Sequence, residues 1–414
     1  MAIPSLAMIP SGYKDGKVYS VLPSNGDGDF TFSRGSNATR VNKDGLIETM
    51  PLELGDELVT NGSFDTDSDW TKGSGWTISG GKVTKSGSDL AYLTQSSLVS
   101  VVGKTYKVTA SITNVTAGNI RIDGFTAGGT ITSDTEVNVI YTATATNPLR
   151  ILGWNGFNGS IDNVSVKEVL SGYDTPRLDY SDSSCPSLLL EPQSTNLIEY
   201  SEDFNNSDWT EFNSTVTSNS IISPDGTLNA TKLTEDTSNS THRIYDTIIV
   251  SGTGVTYTQS VFAKSGGNGR YLRMFRGSPT YNYAAFNLDN GTVAESGGSN
   301  LISAKVEEYP NGWYKCSSTF TTQFSSIASY YGIQDGGSDS YTGDGTSSIY
   351  IWGAQLEELS YPTSYIPTNG AVATRLADEC NSAGTSDTFN DSEGVLFAEI
   401  SAWLMMVLIG LSQL

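Results

Sequence analysis

Residues 103–122 read GKTYKVTASITNVTAGNIRI, and residues 254–274 read GVTYTQSVFAKSGGNGRYLRM. Each opens on a Gly turn and a Thr-Tyr pair, continues as a run rich in Val, Ile, Thr and Tyr, and breaks at Gly and Asn, the pattern of a strand between turns. Similar runs recur at 136–144 and 349–356, while helical periodicity is almost absent. Short strands without alternating helices predict an all-β chain of sandwiches or jelly rolls.

The two stretches belong to a longer internal repeat. ELVTNGSFDTDSDW (57–70) and TNLIEYSEDFNNSDW (195–209) both carry Asn and Phe into Ser-Asp-Trp-Thr, and the units close on SIDNVSVKEV (160–169) and SIYIWGAQLEEL (348–359). The expectation is two tandem β modules, 57–170 and 195–378, with an extended segment at 1–56, a connection at 171–194 and a separate piece at 379–414. Trp70 and Trp209 read as core plugs, because a buried Trp contributes large apolar area.

Composition narrows the function. The 414 residues carry 23 Lys plus Arg against 45 Asp plus Glu, a formal charge of -22, so the field repels phosphate backbones and anionic lipid alike. No nucleic-acid partner and no membrane insertion are expected. The apolar run 402–411, AWLMMVLIGL, is about half the roughly 20 residues that a bilayer crossing needs. Cys185, Cys316 and Cys380 are far apart and form no CxxC or Cys/His group, which supports neither a disulfide framework nor a zinc site. The N-terminus has Pro4 and Pro10 and no basic region before its apolar stretch, so it reads as cytoplasmically made.

Four stretches outside the repeat are the most specific: FTFSRGSNATRVNKDGLIE (30–48), PRLDY (176–180), PSLLLEPQSTNLIEY (186–200) and GAQLEELSYPTSYIPTNGAVATRLAD (353–378). In this order they resemble a family of bacteriophage tail and tail-fibre proteins. The resemblance implies a virion component, partnered by other virion proteins and a host cell-surface glycan and assembled as a homo-oligomer, commonly a trimer. In that family the first two motifs lie close together, whereas here a β module separates them. The module resembles the carbohydrate-binding jelly rolls attached to glycan-degrading enzymes, and reads as an inserted cassette. Residues 386–401, SDTFNDSEGVLFAEIS, resemble the first strands of a concanavalin-like lectin domain, and the apolar tail after them is expected to mark a frameshift or truncation, with a hydrophobic assembly plug as the alternative.

A sugar site wants exposed aromatic faces beside Asn, Asp, Gln or Arg. In the first module Trp154, Asn155, Trp76 and Tyr92 are the candidates, with GWNGFNGS (153–160) read as a loop tip. Each aromatic fits a core position as well as a ligand platform. The second module offers Tyr271, Phe275, Tyr281, Tyr283, Tyr330 and Tyr331, enough for both core and surface. By resemblance calcium is the one cofactor to consider, with Asp162 as a ligand beside Asn61 or Asp65, although Asp162 could equally cap a turn. No catalytic residues are expected: His242 is the only imidazole, and no GxSxG elbow accompanies it. A non-catalytic part of a glycan depolymerase and a structural spacer remain as alternatives.

Overall fold

A computed structural model describes residues 5–126, 129–181, 185–275, 282–323, 325–384 and 388. Apart from Thr388, the lectin-like stretch and the apolar tail, together with Tyr281, lie outside these residues. Among the described residues the chain is all β, with a single 3-10 turn at Pro310–Gly312 and no α-helix. No helix there is long and apolar enough to cross a membrane.

Contacts divide the chain into two units, residues 51–172 and the remainder. The inserted unit is an eight-stranded antiparallel sheet curled around one core. Its two long strands, Thr105–Asp123 and Pro148–Ser171, run side by side along their whole length and bend together. At the bend Trp154 pairs with Asn119 and Asn158 with Ala117, so residues 155–157 face Gly118 alone. Gly118 has a φ of 73°, and a Cβ there would come within 2.2 Å of the Phe157 backbone nitrogen, so only glycine fits beneath this bulge. On both sides of it alternate residues point inward: Tyr106, Val108, Ala110 and Ile112, then Ile120 and Ile122.

The larger unit is built on a jelly roll. Its eight principal strands in chain order are Leu228–Glu235, His242–Ile249, Thr256–Ser265, Arg270–Phe275, Tyr283–Asn287, Trp313–Thr321, Ser326–Asp335 and Ser348–Glu357. The first lies beside the eighth, the second beside the seventh, the third beside the sixth and the fourth beside the fifth. That is the pairing of an eight-stranded ribbon rolled into two sheets. The core between the sheets takes Leu233, Ile244, Val261, Leu272, Phe320 and Ile351.

Residues 5–50 do not cluster as a separate segment. They belong to the larger unit, and residues 51–56 to the inserted one. Strand Phe30–Ser33 pairs with Glu379–Asn381 from the other end of the chain. The hairpin of Thr39–Val41 and Ile47–Thr49 sets Val41 and Ile47 into a second core with Phe262, Trp313, Trp352 and Tyr365, on the side of the strand Thr256–Ser265 away from the main core. The reason is apolar: without the hairpin those rings would face water.

The four motif stretches meet in a buried ionic cluster. Arg34 Nη1 lies 3.1 Å from Asp378 Oδ1, Arg177 Nη2 bonds Asp378 Oδ2 and lies 2.9 Å from Glu191 Oε2, and Arg375 Nη2 lies 3.5 Å from Glu191 Oε2. The side chains of Arg34, Arg177 and Asp378 are wholly buried. Ser364, from PTSYIPT, donates its backbone NH and its hydroxyl to Glu191 at 2.7 and 2.6 Å. The motifs are therefore the parts of one structural junction. Buried charges persist only when paired and hydrogen-bonded in this way.

Candidate functional site

In the inserted unit the strands Ala91–Val99, Pro148–Ser171 and Thr105–Asp123 lie side by side. Their alternate side chains, on the face away from Leu93, Ile151 and Ile122, form rows: Tyr92, the buried Leu152 and Arg121 in one, Thr94, Arg150 and Asp123 in the next, Trp154 and Asn119 in a third. The Arg121 guanidinium carbon sits 5.7 Å from the Trp154 ring centre and that of Arg150 5.1 Å from Tyr92. Arg121 Nε is also 2.8 Å from Asp123 Oδ1. Trp154 and Tyr92 are half-buried, and Asn155 is exposed at a φ of 55°.

Two expectations for this unit need correction. Trp76 is a core residue, 5% exposed, with its indole NH donated to the Ala91 carbonyl at 3.1 Å, so it offers no face to a ligand. Residues 153–160 form a bulge inside the sheet rather than a loop tip. Of its two aromatics Phe157 is fully buried and Trp154 is turned outward.

The calcium ligands do not assemble. The Asn61 side-chain amide donates to the carbonyls of Thr66 and Ser68 at 2.7 and 3.1 Å, so a hydrogen-bond donor closes the loop where a cation would need oxygens. Asp65 accepts from Ser63, and Asp162 caps the backbone NH of Asn163 at 2.6 Å. No group of three His, Cys, Asp or Glu side chains suited to a metal occurs among the described residues. These residues do not fit the ion.

A richer surface lies on the jelly roll, on the outward face of the sheet that contains His242–Ile249, Ser326–Asp335, Arg270–Phe275 and Tyr283–Asn287. One row across it is Tyr245, Tyr330, Phe275 and Tyr283, four aromatics on four adjacent strands. The next row is Phe212, Arg243, Gly332, Arg273, Ala285 and Glu295. Phe275 and Tyr330 stack at 4.5 Å and 8°, and Tyr245 leans on Tyr330 at 4.9 Å. Arg243 lies over Phe212 at 4.3 Å, and Arg273 over Tyr283 at 4.4 Å. Phe212 is 40% exposed. Gln334 and Arg273 are tied to Glu295 at 2.6 and 2.9 Å, which fixes the polar edge.

Alternation was the signal for this face: in RYLRMF (270–275) Leu272 and Met274 point to the core, leaving Tyr271, Arg273 and Phe275 outside. Sequence reading named the aromatics Phe275, Tyr283 and Tyr330 but not Phe212, Arg243 or Tyr245, because strand pairing brings those three in from distant segments. Tyr331, by contrast, is core.

His242 is buried, with Nδ1 2.7 Å from the Asn213 carbonyl and 3.3 Å from Asp236 Oδ1. A cleft of about 140 Å3 opens between Thr39, Tyr365 and Arg375, smaller than most small-molecule sites.

The sequence matches no family model and no curated protein. Among solved structures the chain is similar to the N-terminal CBM22-1-CBM22-2 tandem domain of Xyn10C from Paenibacillus barcinonensis, at 14% identity and a TM-score of 0.29, covering 75% of this chain and 99% of that one. It is also similar to an anti-sigma factor domain-containing protein, at 10% identity and a TM-score of 0.16, covering 81% and 98%. Superpositions this loose carry no argument about function.

Proposed function

We propose that the protein is a non-catalytic glycan-binding component of a bacteriophage tail appendage, acting on the virion as a homo-oligomer, commonly a trimer, that meets host-surface sugars. The observation that carries the glycan reading is the outward row Tyr245, Tyr330, Phe275 and Tyr283 beside Phe212, Arg243 and Arg273. Rings locked by mutual stacking supply a rigid apolar surface, and the flanking guanidiniums supply donors for hydroxyls at little conformational cost. The virion role rests on the four motifs and their order. Several copies per particle would turn weak single-site binding into firm attachment.

The Trp154 and Tyr92 face of the inserted unit is the second reading, favoured by its own pairing of half-buried rings with Arg121 and Arg150. An array of bacterial envelope polysaccharides probed with the full chain tests both. Loss of binding in Phe212→Ala, with melting unchanged, supports the jelly-roll face, and loss only in Trp154→Ala moves the site to the inserted unit. Absence of any bound glycan would leave a structural spacer.

A further inference from the structure

We infer that the jelly-roll face selects acidic saccharides, with Arg243 holding the sugar carboxylate; the inference rests on the glycan reading above. Arg243 differs from the other arginine of its row. Arg273 is neutralised by Glu295 at 2.9 Å and Asp339 at 3.4 Å. Among the described residues no carboxylate lies within ion-pairing distance of Arg243. The only hydrogen bond of its guanidinium there runs from Nη1 to the Thr241 hydroxyl; its Nε, like that of Arg273, is buried without a partner. In a chain with a formal charge of -22, a half-buried guanidinium left without a carboxylate, as Arg243 is here and Arg150 is in the inserted unit, favours an anion.

The surroundings fit a ring bearing a carboxylate. Arg243 is held by three aromatic rings, Phe212 at 4.3 Å, Tyr330 at 5.2 Å and Phe275 at 5.3 Å, so its fork is set in place before a ligand arrives. Its neighbour across the sheet is Gly332, which has no side chain and is flanked on its other side by Arg273. Gly332 thus leaves a gap in the row between the two arginines, which we take as the notch for the carboxylate. A Cβ at Gly332 would sit 3.2 Å from the His242 carbonyl and 3.5 Å from the Arg243 Cβ. A bidentate carboxylate would satisfy Arg243, while the sugar's apolar face rests on Phe212. The negative field of the rest of the chain penalises every anion, so only one that reaches this notch is retained.

The test uses the full chain and two forms of one polymer, polygalacturonate and its carboxyl-reduced counterpart, with polysialic acid as a second acid. The expected result is binding of an acidic polymer, loss of that binding on carboxyl reduction, and affinity about ten- to a hundredfold weaker in Arg243→Gln at an unchanged melting temperature. Arg243→Lys should recover part of the charge effect but not the bidentate geometry. Equal binding of acidic and reduced polymers, with Arg243→Gln behaving as wild type, overturns the acidic selection while leaving glycan binding intact. Failure to bind these polymers or any envelope polysaccharide overturns both.

Discussion

Trp70 and Trp209 make the same hydrogen bond in the two units: each indole NH donates to the carbonyl nine residues earlier, Asn61 at 3.1 Å and Tyr200 at 2.9 Å. Each ring also tilts against a phenylalanine, Phe64 at 5.3 Å and 44°, Phe204 at 4.9 Å and 45°. The weak repeat in the sequence is thus a repeated device that closes a loop onto a core. Trp70→Ala and Trp209→Ala should each cost about 3–5 kcal/mol. Differential scanning calorimetry should show each substitution lowering the transition of its own unit.

The ionic cluster gives a second prediction. Asp378 is wholly buried and serves Arg34, Arg177 and the backbone NH of Glu191. Asp378→Ala strands two buried guanidiniums and should destabilise the larger unit by about 3–5 kcal/mol in urea titration. Lys104 and Glu168, exposed at 48% and 27%, provide the control, since breaking a surface pair of this kind should change stability by about 1 kcal/mol or less.

Two carboxyls give stability opposite slopes with pH. Burial opposes ionisation of Glu191, but Arg177, Arg375 and the Ser364 hydrogen bonds hold its pKa down to about 2 from 4.5, so its contribution is present above 4.5 and is lost as pH falls toward 2. Asp246 is pushed from 3.8 up to about 6 by burial and by Asp208 and Glu199, so its contribution is present below 3.8 and is lost as pH rises through 6. Asp246→Asn should therefore raise the melting temperature at pH 7 and change it little at pH 4. Equal effects at both pH values would contradict the assignment.

The N-terminal hairpin should be a structural cover. Ile47→Ala, which opens a gap over the core holding Trp313 and Trp352, should cost about 2–5 kcal/mol by chemical denaturation. A value near zero would mean that the hairpin does not contribute to that core.

Strand-forming runs and the repeat were legible in the sequence because their signals are local: alternation, turn residues and a Trp at a fixed offset. What could not be read was pairing across long separations. Arg34 and Asp378 are 344 residues apart and Arg177 and Asp378 are 201 apart, yet they share one buried junction, so the motif stretches that lie outside the repeat belong to the same unit as the jelly roll. The candidate site follows the same rule. Trp154 could be named from its Gly and Asn neighbours, but Trp76, also preceded by Gly, is core, because only register decides which way a strand residue faces. The row Tyr245, Tyr330, Phe275 and Tyr283 draws on four strands and exists only once they pair.

The central claim is that a glycan occupies the outward face of the jelly roll. Hydrogen–deuterium exchange on the full chain, with and without a polysaccharide that binds it, tests this most directly. The claim predicts slowed exchange in Thr210–Phe212, His242–Ile249 and Arg270–Phe275, with residues 117–123 and 150–158 of the inserted unit unchanged. Protection confined to the inserted unit, or to neither surface, would contradict it.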